Sequence, residues 1–141
     1  MLRYGGKYKQ EEWGAELTTE ISLVEADMLR FVLKSGGYIG ADVVERKKNE
    51  GVPTHLVYCQ VDAVDADPMG NEPVLCGDDI IGVTTSGGYG HIVHKSLAFA
   101  YVNSGYESAG TTFDIRILGE RRKATVLAQA AWDPANGRLK D

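Results

Sequence analysis

Apolar side chains on every second position dominate the chain after residue 54. Residues 56–61 form a short β-rich run, and residues 111–118 alternate between large apolar side chains and the polar Asp114 and Arg116. A period of two predicts strands that bury one face. Residues 96–103 are apolar on both faces, which predicts a strand covered on both sides.

Turn residues separate the remaining strands. Residues 72–76 and 80–84 flank Gly77-Asp78-Asp79, which predicts a hairpin with a three-residue connection. Four glycines between positions 82 and 90 predict a strongly bent loop, because glycine reaches positive φ without steric penalty. Residues 119–122 turn the chain again, and residues 123–131 return along it. The predicted fold is mainly β (α+β): a small antiparallel β-barrel of five to six strands preceded by two helices.

Two helices are predicted before the barrel. Ser22 and Glu25 have the spacing of a capping box, and the apolar residues of 26–34 follow at helical intervals. The second helix spans residues 41–49, with Gly51 just past its end and Pro53 preventing its continuation.

Composition excludes several classes of function. The chain has 141 residues and a formal net charge of −5, so nothing favours a nucleic acid partner. Two cysteines, Cys59 and Cys76, are too few for a disulfide framework. The sequence contains neither a signal peptide nor an apolar run long enough to cross a membrane, and we therefore expect a cytoplasmic protein with reduced thiols and no membrane partner.

Residue chemistry alone nominates no reaction. The glycine-rich stretch lacks the Gly-Lys-Ser/Thr ending of a phosphate loop, so a structural bend is the favoured interpretation. His91 and His94, with the two cysteines, could in principle ligate zinc, but positions three apart on a strand point to opposite faces. We therefore predict no metal site, and we predict no catalytic residue because no carboxylate pair or Ser/His/Asp set can be nominated.

The glycine-rich stretch resembles a known family. Residues 80–90 (IIGVTTSGGYG), followed by 95–102 (KSLAFAYV), are similar to the C-terminal barrel of the glycine cleavage T-protein family. These are aminomethyltransferases, together with the folate domains of dimethylglycine and sarcosine dehydrogenases and tetrahydrofolate-dependent demethylases. Further segments resemble family motifs in the same order: 13–18 (WGAELT), 22–26 (SLVEA), 38–40 (YIG), 124–128 and 133–139 (DPANGRL).

The resemblance implies transfer of a one-carbon unit from a methylated amine or ether substrate to tetrahydrofolate. The acidic residue at the pterin lies upstream of any residue present here, and no glutamate aligns with the family's R-L-E-x-G motif. Either Glu11 or Glu12 could substitute for the glutamate of that motif. The residues that the resemblance places at the cofactor are Glu12, Trp13, Lys34, Asn136 and Arg138.

The resemblance also implies a domain division. Residues 1–51 correspond to the tail end of a folate-binding domain with two helices, and residues 52–141 to the C-terminal barrel domain. The abrupt start at Met1 suggests a fragment, which we expect to be inactive alone and to form homo-oligomers. Two alternatives stay open: a segment of a dimethylglycine or sarcosine dehydrogenase, and a non-catalytic stand-alone barrel module.

Overall fold

A computed structural model describes residues 16–32, 34–135 and 137–139. Within these ranges the chain begins with turns and a 3₁₀ turn at Leu29–Phe31, followed by one α-helix, α1 (Ala41–Glu50). Six strands come next, and a last 3₁₀ turn covers Gly137–Leu139. The strands are β1 Thr54–Val61, β2 Pro73–Cys76, β3 Asp79–Gly90, β4 Lys95–Asn103, β5 Thr112–Ile117 and β6 Glu120–Val126.

The six strands form the closed antiparallel barrel that the sequence predicts. Their order around the barrel is β1-β4-β3-β2-β5-β6, and β6 closes the ring on β1 where residues 59–61 pair with residues 126–124. The buried residues that face inward form one apolar core, which every strand supplies. Its members are Val57, Cys59, Val61, Val74, Ile81, Ala98, Ala100, Val102, Phe113, Ile115, Ile117, Ala124 and Val126.

Strand β4 is buried on both faces, as its sequence predicts. Its second face joins the alternate side chains of β1 in an outer cluster, against which Ile21 and the segment after β6 pack. The outer cluster contains Leu56, Tyr58, Leu97, Phe99 and Tyr101. The residues before and after the barrel therefore cover the outside of β1 and β4.

The first predicted helix is wrong in its extent. Glu25 Oε2 does accept the Ser22 N–H at 2.7 Å, as in a capping box. The Glu25 carbonyl, however, accepts the Leu56 N–H of β1 at 2.7 Å, and Asp27 takes a left-handed φ of 54°. Because the carbonyl that a helix would pair with Leu29 is committed to the barrel, no α-helix continues here. The second helix is confirmed, and Gly51 ends it with a φ of 83°.

The predicted bend at the glycines is also wrong. Strand β3 runs through the whole stretch, and the chain turns afterwards at residues 91–94. None of Gly82, Gly87, Gly88 and Gly90 has a positive φ. The β2–β3 connection is shorter than predicted, since Cys76 pairs directly with Asp79 across a two-residue turn. Strand β6 ends at Val126, and so the predicted return to residue 131 is too long.

Candidate functional site

A β-bulge in β3 organises the polar contacts of the barrel. Thr84 pairs with Ala100 and Ser86 with Phe99, which leaves Thr85 as an extra residue on β3. Consecutive side chains of a regular strand point to opposite faces, and a bulge re-aims them. Here the bulge allows the neighbouring hydroxyls of Thr85 and Ser86 to reach the same group.

That group is the carboxylate of Glu16, which is fully buried against the barrel. Glu16 Oε1 accepts the Thr85 hydroxyl at 2.7 Å and the Ser86 hydroxyl at 2.6 Å. Within the described part of the chain, Glu16 Oε2 is buried without a hydrogen-bond partner. Burying a carboxylate is costly unless hydrogen bonds compensate it, so the two hydroxyls are what make this position tolerable.

Tyr101 binds the main chain of Glu16. Its hydroxyl donates to the Glu16 carbonyl oxygen at 2.6 Å. Burial raises the pKa of the Tyr101 hydroxyl, and the negative charges of Glu16 and Glu25 raise it further. Tyr101 therefore keeps its proton and stays a donor at neutral pH.

A second carboxylate binds the opposite face of β3. The Glu72 carboxylate accepts the Thr84 hydroxyl and the backbone N–H groups of Met69 and Gly70, the last two at 2.8 and 2.9 Å. Burial alone would raise the pKa of Glu72, but these hydrogen bonds outweigh it and hold the pKa below its ordinary value. Glu72 thereby fastens the loop between β1 and β2 to β3.

The segment before the barrel is joined to α1 by an ion pair. Lys47 Nζ lies 2.9 Å from Oε2 and 3.1 Å from Oε1 of the buried Glu25. Burial would raise the pKa of Glu25, but the hydrogen bonds from Ser22 and Lys47 lower it below its ordinary value. Helix α1 has no buried residue, and this pair links it to the buried Glu25 of the segment before the barrel.

A cleft of about 790 Å³ lies beside α1. Lys34, one of the predicted cofactor residues, lines it together with Val32, Tyr38 and Lys48. Asp42 and Glu45 line the cleft too, so its charge is mixed.

Of the other predicted cofactor residues, Arg138 is the one that lies in the described part of the chain, and it does not line this cleft. Glu12, Trp13 and Asn136 lie outside the described residues. Arg138 places its guanidinium 4.7 Å from the ring centroid of Trp132. Its backbone N–H donates to Asp133, which also accepts the Gly137 N–H. Asp133 thus stabilises the last 3₁₀ turn.

The residues considered for zinc are dispersed. Cys59 is inside the barrel, whereas Cys76 is exposed at the end of β2. His91 and His94 are exposed in the β3–β4 turn. The described residues contain no group of three or more His, Cys, Asp or Glu side chains that could hold a metal ion.

Sequence reasoning missed Glu16, Thr85 and Ser86 as a set. Glu16 occupies the acidic position of the segment 13–18, but the resemblance gave it no partner. A bulge changes the direction of side chains without any mark in composition, so the convergence of Thr85 and Ser86 is not visible in the sequence.

The match to a family model decides the membership of the chain. Residues 55–133 match the model of the glycine cleavage T-protein C-terminal barrel domain. The chain belongs to this family. The predicted resemblance and the predicted barrel are therefore both confirmed.

Individual relatives support the assignment over most of the chain. Mitochondrial dimethylglycine dehydrogenase of Mus musculus is 34% identical over 91% of this chain and 15% of its own length. An aminomethyltransferase of Alkaliphilus oremlandii is 31% identical over 83% of this chain and 32% of its own. The crystal structure of aminomethyltransferase T from Bartonella henselae has a TM-score of 0.80 at 19% identity, covering 94% of this chain and 37% of that one.

The chain thus spans 15% of the length of the Mus musculus dehydrogenase and about a third of the length of the Alkaliphilus aminomethyltransferase. None of the helices in the described ranges is both long and apolar enough to cross a membrane.

Proposed function

We propose that this chain is the barrel-bearing part of a tetrahydrofolate-dependent enzyme that transfers a one-carbon unit from a methylated amine or ether to folate. Residues 52–141 form the barrel domain of this enzyme, and residues 1–51 form the end of its folate-binding domain. Membership of the barrel family, together with relatives named aminomethyltransferase, supports this proposal.

The buried attachment of Glu16 to β3 is the observation that carries the proposal. The segment 13–18 resembles part of the family's folate half, and its Glu16 is buried against the outside of the barrel, where it accepts hydrogen bonds from Thr85, Ser86 and Tyr101. The hydrogen bonds compensate the desolvation of this carboxylate, so the attachment joins the segment firmly to the barrel. The barrel and the end of the folate-binding domain therefore act as one structural unit.

In this proposal the chain contributes walls of the folate site and no catalytic residue. A cleft of 790 Å³ lies within the size range of small-molecule sites, and the ammonium of Lys34 suits the carboxylates of folate. Glu12, Trp13, Asn136 and Arg138 complete the proposed cofactor-binding set. The reaction centre lies in other parts of the enzyme, so the chain alone is inactive.

The second candidate is the folate-domain segment of a dimethylglycine or sarcosine dehydrogenase. Dimethylglycine dehydrogenases of three mammals are 31 to 34% identical over 91% of this chain. The Alkaliphilus aminomethyltransferase reaches 31% over 83%. The two candidates differ in the host enzyme but assign the same role to the barrel.

Chimaeras test the function and separate the two candidates. In one, this chain replaces the matching region of the Alkaliphilus aminomethyltransferase; in the other, it replaces that of the Mus musculus dehydrogenase. We expect a folded chimaera of the first kind to retain tetrahydrofolate-dependent activity. Activity in the second chimaera alone would favour the dehydrogenase. Two folded but inactive chimaeras would contradict the proposal and favour a non-catalytic barrel module.

A folate titration by calorimetry tests whether the chain is incomplete. We expect no saturable heat when tetrahydrofolate is titrated into this chain at micromolar concentration. Micromolar binding would overturn the claim that the site needs further parts. We also propose a cytoplasmic location, which the free thiols of Cys59 and Cys76 support.

A further inference from the structure

Glu16 is buried immediately before a run of four exposed residues. Its exposed fraction is 0%, whereas residues 17–20 are all exposed. An apolar anchor would attach this segment to the barrel without the desolvation of a charge. A carboxylate instead fixes the orientation of the residue, because hydrogen bonds depend on direction whereas the hydrophobic effect does not.

Three donors define that direction. The hydroxyls of Thr85 and Ser86 converge on Oε1 of Glu16 at 2.7 and 2.6 Å, and the Tyr101 hydroxyl donates to its carbonyl at 2.6 Å. Both the side chain and the main chain of Glu16 are therefore fixed to β3 and β4. We call these four residues the Glu16 clasp.

The barrel does not need the clasp for its own core. The inner core consists of residues 57–126, all within the barrel. Beyond the clasp, the later part of the segment 16–27 stays attached: Ile21 packs on the outer cluster, the Glu25 carbonyl accepts the Leu56 N–H, and both Glu25 and Ala26 are buried. Loss of the clasp would therefore release the start of this segment and leave the barrel folded.

We propose that Glu16 is a positioning residue, whose clasp fixes the chain where the segment that carries Glu12 and Trp13 meets the barrel. Glu12 and Trp13 precede Glu16 by four and three residues, so the fixed point limits how far they can reach. Their role at folate rests on the function proposed above. The clasp itself is a property of this chain and can be measured without folate.

A single-tryptophan chain makes the test specific. Only Trp13 and Trp132 are tryptophans, so Trp132→Phe leaves Trp13 as the reporter. In this background, Thr85→Val with Ser86→Ala removes both hydroxyl donors and nearly preserves shape. Thr85→Ser with Ser86→Thr keeps both hydroxyls and serves as the rescue.

The matched control removes two hydroxyls that lie outside the clasp. Ser108 and Thr112 are exposed, and Ser108→Ala with Thr112→Val changes the same chemical groups. The measurements are Trp13 fluorescence anisotropy, its quenching by acrylamide, and hydrogen exchange of residues 17–27 compared with β4.

We expect the Thr85/Ser86 variant to lower the anisotropy and raise the quenching of Trp13. Exchange in residues 17–27 should become about tenfold faster, which corresponds to roughly 1.4 kcal/mol, while β4 is unchanged. The rescue and control variants should behave as the parent.

Unchanged anisotropy and exchange in a folded variant would overturn the proposal. Equal acceleration in β4 and in residues 17–27 would also overturn it, because the clasp would then only add global stability. None of these three measurements involves folate. A result that contradicts the role of the clasp can therefore be distinguished from one that contradicts the proposed function.

Discussion

Two neighbouring glycines of β3 are predicted to respond to the same substitution with opposite signs. A Cβ on Gly87 would clash with the Pro68 carbonyl oxygen and would lie 2.6 Å from Pro68 Cγ and 2.9 Å from the Leu97 carbonyl oxygen. A Cβ on Gly88 would meet no atom within 4 Å. Neither glycine has a positive φ. Steric space alone should therefore decide the outcome.

The structure bounds the magnitude of each effect. At Gly87 two of the three contacts are to backbone oxygens, which cannot rotate away, so Gly87→Ala should destabilise by about 1–3 kcal/mol, as overpacked cores do. At Gly88 the methyl group fits, and the loss of unfolded-state freedom should stabilise Gly88→Ala by roughly 0.4–1 kcal/mol.

Urea and thermal unfolding, followed by circular dichroism, measure both variants. We expect the melting temperature of Gly87→Ala to fall by about 3–10 °C and that of Gly88→Ala to rise by a few degrees. An equal loss of stability in both variants would contradict this prediction. It would mean that glycine is required at both positions for its conformational freedom and not because other backbone groups approach it.

Three further predictions concern thiols, acid stability and association. Burial raises the pKa of the Cys59 thiol to about 12, so a thiol reagent should modify only the exposed Cys76 in the native chain and both cysteines in denaturant. The lowered folded-state pKa of Glu25 means that its contribution to stability is present above its unfolded-state pKa and disappears as pH falls through the folded-state value. Glu25→Gln should therefore destabilise near pH 7, and the difference from the parent should shrink as the pH falls through the lowered folded-state pKa of Glu25. Because Phe31 and Ile39 are exposed, the chain should self-associate on size-exclusion chromatography with light scattering; a monomer would contradict this.

The barrel was predictable because its signals are local. Alternation in residues 111–118 and two apolar faces in residues 96–103 each specify a strand and its burial, and the structure has both. Helix α1 is marked by Gly51 and Pro53, and it ends where predicted within one residue.

The errors arose where tertiary contacts override local preference. Residues 26–34 have helical spacing, but the Glu25 carbonyl pairs with Leu56 of a strand that lies 31 positions later. The glycines of β3 resemble a bend in sequence, yet Gly82 and Gly87 are required because other backbone groups approach them. Local sequence does not distinguish a glycine needed for its φ from one needed for its small size.

The bulge at Thr85 explains why polar residues follow one another in a strand whose neighbours are apolar. The Thr84 side chain points into the barrel, like that of its cross-strand partner Ala100, and its hydroxyl binds Glu72. The hydroxyls of Thr85 and Ser86 bind Glu16 on the outer face. A regular strand would send Thr85 and Ser86 to opposite faces, and one carboxylate could not receive both hydroxyls. The extra residue therefore lets one strand fasten the β1–β2 loop on one face and the pre-barrel segment on the other.

Deleting Thr85 should separate these two attachments. Glu72 would keep its hydrogen bond from Thr84, whereas Glu16 would lose a donor. Hydrogen exchange should therefore accelerate in residues 17–27 before it does in the β1–β2 loop. Faster exchange in the loop alone would show that the bulge serves the barrel and not the segment that precedes it.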